Sequence, residues 1–328
     1  METLSAVLQT VRLTGGVILE AHFTAPWCVS SQFSAEDCRP FVCDPVEVIA
    51  YHYVTCGRCW LEVAGEPAIE VRAGEAVMLP RNDPHVLGSS IGGRPVNSHE
   101  LIQPTEGGGL ARIVHGGGGE ATDIVCGFLA TDQHSNPLIA TLPRVLKVDM
   151  AQSGSDEWIE SCLRFALRGL REGLIGASTV MTRLSELMFV EAVRRYAATL
   201  PAEESGWLAG IRDRYVGKAL ALMHAKPDHP WTAESLACEV SLSRSAFSDR
   251  FTAFIGMPPK RYLISWRLQV AKEMLREGRK PIPQIAHEVG YEAEAAFNRA
   301  FKREFGTPPA TWRRQARPTE VRAAATSR

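Results

Sequence analysis

The chain has 328 residues, 45% of them apolar, with 36 Lys and Arg against 37 Asp and Glu. That is enough for about two domains with packed cores, and it excludes a disordered, collagen-like or coiled-coil chain. The first twenty residues lack a basic leader followed by an apolar run, and no stretch approaches the roughly 20 apolar residues that span a bilayer. The expectation is a soluble, cytoplasmic protein with no membrane partner. Eight cysteines are too sparse for a disulfide scaffold in a chain this long and fit a reducing compartment. The net charge of −1 hides a division: residues 205–328 hold 21 basic against 12 acidic side chains, a balance of +9, which leaves −10 for residues 1–204. A basic C-terminal third suits phosphate neutralisation, and an acidic N-terminal part suits sensing or assembly.

From Val46 to Leu129 short runs rich in Val, Ile and aromatics predict strands over 47–54, 59–63, 68–71, 76–80 and 122–129, punctuated by turn residues such as Ala64-Gly65-Glu66-Pro67 and Asn82-Asp83-Pro84. Their near-regular spacing predicts a small antiparallel barrel or sandwich. Glycine clusters at 107–109 and 116–119 predict loops or tight bends. After Met150 the period changes. Apolar residues recur at three- and four-residue steps over 156–171 (Trp158, Cys162, Phe165) and 179–198 (Met181, Leu184, Met188), which predicts two amphipathic helices. Their apolar stripe suits packing on the barrel or against a second copy of the chain, a homodimer. Residues 201–206 (PAEESG) read as a linker.

The basic part contains an internal repeat. Ala237, Glu239 and Val240 correspond to Ala286, Glu288 and Val289, and after one inserted residue Ala246, Phe247, Phe251, Gly256, Pro258 and Pro259 correspond to Ala296, Phe297, Phe301, Gly306, Pro308 and Pro309. Each copy, about 232–256 and 282–306, reads as a short helix, a tight turn and a longer helix. Ser243 is a fitting N-cap for the first long helix, Pro283 fits the start of the second short one, and Gly256 and Gly306 end the long helices. The small Ala237 and Ala286 allow the close crossing of a helix-turn-helix. A single helix over 259–278, with Ile264, Leu268, Ala271 and Leu275 in step, joins the copies, so that two reading helices can enter major-groove segments about 34 Å apart.

The stretch from Trp231 to Gln315 resembles the DNA-binding domain of the AraC/XylS family of bacterial transcriptional regulators, a resemblance covering roughly 215–316. It implies double-stranded DNA as partner, with RNA polymerase as a further one. It also implies reading positions at Arg244, Ser245, Ser248 and Asp249 in the first long helix and at Glu294, Ala295, Asn298 and Arg299 in the second. Arg244 and Arg299 suit guanine, Asn298 adenine, and Asp249 and Glu294 can only accept, as from cytosine amino groups. Arg250, Lys302 and Arg303 read as phosphate contacts or framework salt-bridge donors. Ala293 stands where a serine commonly opens the second reading helix in this family, so that cap is missing, and Ala295 offers no hydrogen bond.

The segment 52–87, with 115–129 and 138–148, resembles the cupin-type sensor that often precedes this DNA-binding domain. That implies an α+β multidomain chain. A cupin-like antiparallel barrel serves as effector or sensor domain (1–150), a helical segment as coupling or dimerisation element (151–204), and an all-α double helix-turn-helix follows (205–328). His52, Trp60 and His85 are candidate lining for an effector pocket that takes a small molecule or an oxidant. Metal-binding cupins carry a His-x-His pair, and here His52 is followed two residues on by Val54. A set of His52, His85 and His115 is the remaining ligand option, no cofactor is expected, and the competing class is a metal-dependent cupin enzyme fused to a DNA-binding domain. Cys56-Gly57-Arg58-Cys59 is a C-x-x-C without a second pair, in which Arg58 could stabilise a Cys56 thiolate. Cys126 matches a cysteine position in a reactive-chlorine-responsive activator of the cupin-type subgroup. Cys126, Cys56 and Cys59 are therefore the redox candidates, with inert burial of Cys126 as the alternative.

Overall fold

A computed structural model describes residues 13–38, 47–103, 110–131, 137–150, 156–200 and 206–315. The 107–109 glycines, linker residues 201–205 and the Trp158 side chain lie outside the described part. The chain divides into two compact units, one within residues 11–200 and the other within 201–328.

The first unit runs β1 (Thr14–Thr24), β2 (Cys28–Ser31), α1 (Ala35–Cys38), β3 (Glu47–Cys56), β4 (Arg58–Val63), β5 (Ile69–Arg72), β6 (Glu75–Leu79), β7 (His85–Gly88), β8 (Val96–Asn97), α2 (Ser98–Leu101), β9 (Ala111–Gly116), β10 (Ala121–Thr131), α3 (Pro137–Thr141), β11 (Leu146–Asp149), α4 (Asp156–Arg171) and α5 (Ala177–Thr199). Two sheets form, in the orders β11-β6-β3-β10-β1-β9 and β5-β4-β7-β2-β8. Leu19, Ala21 and Phe23 of the first sheet meet Cys59, Leu61 and Leu87 of the second in one core, while Trp60 and Glu62 alternate to the other side of β4. Two pairings depart from the expected antiparallel barrel: β1–β9 and β2–β8 are parallel. For β9 the reason is local. The 117–120 turn reverses the chain into β10, β10 pairs antiparallel with β1, and β9 on the other flank of β1 must then run with it.

On the face of the first sheet away from this core, α5 packs against β1 and β11. Gly127 makes room for the Tyr51 ring, since a Cβ there would lie 2.4 Å from it. The Ser185 hydroxyl donates to the Met181 carbonyl at 2.9 Å and is thereby left to accept from the Tyr51 hydroxyl at 2.7 Å. Thr182 donates to the Gly15 carbonyl at 2.6 Å, and Arg195 to the Asp149 carbonyl at 2.5 Å. Leu163, Met181, Leu184 and Met188 are buried in this packing. Phe165, expected in the stripe, is 70% exposed, because the buried side of α4 is the one that carries Leu163, Ala166 and Leu167, and Phe165 falls on the opposite side at helical spacing.

The second unit comprises α6 (Trp207–Arg212), α7 (Arg214–Ala225), α8 (Ala233–Glu239), α9 (Arg244–Ile255), α10 (Pro259–Glu277), α11 (Ile282–Glu288), α12 (Glu294–Phe305) and α13 (Pro309–Gln315). Phe247 and Phe251 of α9, and Phe297 and Phe301 of α12, are fully buried. Gly256 and Gly306 end α9 and α12 in the left-handed region, at φ +74° and +76°. Pro283 stands one residue later than the first helical position, which Ile282 takes.

A buried polar cluster ties α6, α7 and α10 together. Trp207 donates to the Tyr262 hydroxyl at 3.1 Å, that hydroxyl meets His224 Nε2 at 2.8 Å, and the His224 ring stacks on Trp266 at 3.8 Å. Burial lowers the His224 pKa to about 3. The unfolded chain therefore takes up this proton first, and the stability that neutral His224 secures is present above its unfolded pKa near 6.5 and lost as pH falls. At pH 5 the loss is about 2 kcal/mol. Unfolding free energy should decline from pH 7 to pH 5, and His224→Phe, which keeps the stacking and removes the titration, should start lower at pH 7 but show a flatter slope over the same range.

Candidate functional site

Two sets of side chains carry chemistry, one in each unit. In the second unit each copy of the repeat is a helix-turn-helix: α8 and α9 flank the turn at 240–243, and α11 and α12 flank the turn at 289–293. Both turns need one left-handed residue at the same repeat position. Ser241 takes it at φ +59° and Gly290 at φ +82°. Ser243 caps α9 by accepting from the Ala246 N–H at 3.2 Å, whereas Ala293 at the equivalent position of α12 supplies no cap.

Because Phe247 and Phe251 hold one face of α9 inward, Arg244, Ser245 and Asp249 are exposed and Ser248 half-buried. On α12 the same logic leaves Glu294, Ala295, Arg299, Lys302 and Arg303 exposed and Asn298 half-buried, with the Asn298 amide donating to Glu294 at 3.5 Å. The structure therefore groups the expected positions as two equivalent faces. Arg250 stands apart. Its guanidinium grips the Asp213 carboxylate, which also caps α7 by accepting from the Tyr215 and Val216 N–H groups, and these contacts hold the Asp213 carboxyl below its ordinary range despite burial. Of the two roles expected for Arg250, the framework salt bridge is the one its contacts support. The cations of the exposed faces are unequal too: α12 offers Arg299, Lys302 and Arg303, and α9 offers Arg244.

In the first unit, His52 (β3), His85 (β7) and Cys126 (β10) meet inside the barrel. Strand register explains the first contact, since Cys126 pairs directly with His52. His52 Nδ1 lies 3.0 Å from Cys126 Sγ, His52 Nε2 lies 2.7 Å from His85 Nε2, and His85 Nδ1 lies 2.9 Å from the Asp83 carbonyl. Only one proton order satisfies this chain. A carbonyl cannot donate, so His85 Nδ1 carries hydrogen and its Nε2 accepts; His52 Nε2 must then donate, and His52 Nδ1 accepts from the thiol. Burial supports neutral rings, lowering the His52 and His85 pKa values, and it raises that of Cys126. Cys59, buried at the same core, is pushed up to about 12.

The other expected members fall elsewhere. Trp60 points away from the core and does not join His52 and His85. Cys56 is exposed while Cys59 is buried, so the C-x-x-C is split between two environments. Arg58 does not serve Cys56; its guanidinium lies 3.3 Å from Glu70 and 3.9 Å from Glu120. Among the described residues no three His, Cys, Asp or Glu side chains gather as a metal-ligand group, and His115 does not join His52 and His85. His85 also borders an open cleft of roughly 630 Å³ shared by Ser31, Glu62, Glu66 and Asn97. The Asp83 carbonyl had no sequence signal, since a main-chain acceptor carries none.

A cupin family model matches residues 2–198 and a helix-turn-helix domain model residues 236–315. The chain is 31% identical over 279 residues to an AraC-like transcription regulator of Streptomyces antibioticus, covering 84% of this chain and 90% of that one. It is 32% identical over 272 residues to an AraC-like transcription regulator of Streptomyces lividans, covering 83% and 88%. It is 29% identical over 273 residues to the RCS-specific HTH-type transcriptional activator RclR of Escherichia coli, covering 83% and 86%.

The difference in capping has a direct test. Ala293→Ser should raise stability by about 1 kcal/mol, and Ser243→Ala should lower it by about the same amount. Chemical denaturation of both variants reads these changes.

Proposed function

The chain belongs to the AraC-like transcription regulators, and from that premise we propose that it reads double-stranded DNA with α9 and α12 under the control of a thiol–imidazole sensor in its barrel. The observation that carries the DNA reading is the equivalence of the two exposed faces, Ser245/Asp249 and Ala295/Arg299, on duplicate helix-turn-helix frames. Arg244 and Arg299 present guanidinium forks suited to guanine O6 and N7, Asn298 an amide suited to adenine, and Lys302 and Arg303 point charges suited to phosphate. No helix among the described residues is long and apolar enough to cross a membrane. In this reading the regulator acts in the cytoplasm, where its DNA is, with RNA polymerase as a further partner.

Sensing follows from the proton order. When a two-electron oxidant such as a hydroperoxide reaches Cys126, Sγ attacks its outer oxygen as the thiol proton passes to His52 Nδ1 and the His52 Nε2 proton to His85 Nε2. The O–O bond breaks, the outer oxygen with its hydrogen stays on sulfur as a sulfenic acid, and the departing alkoxide takes back, through His52, the proton the thiol released, leaving as the alcohol with both imidazoles neutral again. Cys126 and His85 sit on opposite nitrogens of His52, an arrangement that serves proton transfer rather than joint chelation of one ion, which favours a regulator over a metal-dependent cupin enzyme. Strand β3 then relays the change, because His52 faces the barrel core while the adjacent Tyr51 bonds Ser185 of α5. A small-molecule effector in the cleft beside His85 is the second reading, favoured by the polar lining there. The exposed Phe165, Leu174 and Ile175 of the α4–α5 hairpin suit a homodimer contact.

Selection from a randomised duplex library at fixed salt, with reductant and with peroxide, tests both parts. The wild-type protein should enrich two elements about one helical turn apart. Arg299→Ala should relax one base position at a cost of about 1–3 kcal/mol, and Lys302→Ala should lower the salt slope by about one. Peroxide should shift the wild-type affinity and leave Cys126→Ser unmoved. Failure to enrich any motif in either state would refute the DNA reading, and a motif indifferent to peroxide would refute the thiol sensor.

A further inference from the structure

Arg267 lies near the middle of α10, the helix between the two helix-turn-helix copies, and its three hydrogen bonds all go to main-chain carbonyls. Nε donates to Pro227 at 2.6 Å, Nη2 to His229 at 2.9 Å and Nη1 to Gly290 at 3.1 Å. Pro227 and His229 belong to the segment that leads into α8 of the first helix-turn-helix; Gly290 is the left-handed turn residue of the second helix-turn-helix. One planar fork thus joins the entrance of one reader to the turn of the other, with charge-assisted bonds whose directions are set by the guanidinium plane.

The packing around it leaves no slack. A Cβ on Gly290 would fall 2.6 Å from Arg267 Nη2, 2.7 Å from its Cζ and 2.8 Å from the Asp228 carbonyl oxygen, so the second turn rests directly on the guanidinium and on the segment entering the first helix-turn-helix. The Arg267 side chain is itself half-buried, and lysine could offer its three donors from one point but not from three corners of a plane.

We propose that Arg267 is a positioning residue: it fixes the offset between the two reading helices and thereby sets the spacing between DNA elements that the protein accepts. This rests on the DNA reading proposed above. Two tethered readers gain from binding together only while their separation matches that of their targets, and a loosened tether loses part of this gain at the matched spacing and part of the penalty at mismatched ones. Inserting one base pair rotates the second element by about 34° and tests the tether directly.

The experiment uses full-length protein and the two-element duplex enriched by wild type, together with a copy carrying one inserted base pair and a copy with the second element scrambled. Arg267→Lys should weaken binding to the enriched duplex about tenfold and leave the scrambled duplex within about twofold, with a clearly smaller penalty for the insertion. Gly290→Ala, which displaces the guanidinium from the other side, should move the same three numbers in the same directions. Thermal unfolding confirms that each variant is folded, and Arg267→Gln serves if the lysine variant is not. An equal loss on all three duplexes, or an unchanged insertion penalty, overturns the proposal. A wild-type protein that enriches no two-element duplex overturns instead the DNA reading beneath it.

Discussion

A polar side chain withdrawn from water has to find its partner inside the protein, and in this chain that requirement fixes positions that apolar packing alone would leave loose. Inside the barrel, His52 and His85 are held by a chain of contacts that ends on a main-chain carbonyl and admits one distribution of protons. In the helical unit, the Tyr262 hydroxyl is the common partner of Trp207 and His224, and the Arg250 guanidinium secures Asp213 at the start of α7. Apolar residues supply most of the driving force for both cores, but a Leu can slide or rotate at little cost where a buried imidazole cannot. The polar clusters therefore act as registration marks, and both sets of chemically capable side chains are built beside them.

The two helix-turn-helix copies share a plan and differ in detail. α9 has its hydroxyl cap, an exposed Arg244, an Arg250 engaged by Asp213 and an acidic Asp249; α12 has no cap, an acidic Glu294 at its start and three exposed cations along its length. The two faces therefore differ in charge, α12 presenting more cations than α9, and cations along a helix favour a phosphate backbone whatever its sequence. Strand β3 shows a division on a smaller scale. The two-residue period of a strand sends His52 to the sulfur and Tyr51 to the helical hairpin, so neighbouring residues in the chain serve opposite faces of the sheet.

Much of this was legible in the sequence wherever the signal was local. The strands over 47–54 and 122–129, the helices over 156–171 and 179–198, and the caps Ser243, Gly256 and Gly306 all depend on neighbours a few residues away. Strand β1 carries a mixed signal, since Leu19, Ala21 and Phe23 alternate in period two while its leading Gly15-Gly16 resembles a turn. Trp60 lies outside the expected pocket because the alternation of buried Cys59 and Leu61 sends it to the other side of the strand. Phe165 shows the limit of helical periodicity, which identifies a stripe without fixing its edges. The meeting of His52 with His85, 33 residues apart, and the three carbonyls around Arg267 arise from tertiary register, which no local pattern encodes.

The uncapped start of α12 has a thermal consequence. A helix whose first N–H groups lack a side-chain acceptor frays more readily as temperature rises, because each opened residue gains backbone entropy and surrenders little enthalpy. DNA would have to re-order that first turn at each encounter, and the entropic cost of doing so grows in direct proportion to temperature. On the proposed DNA reading, the segment holding Glu294 and Ala295 would then release DNA before the capped α9 does, so that warming would strip a bipartite complex from one end first.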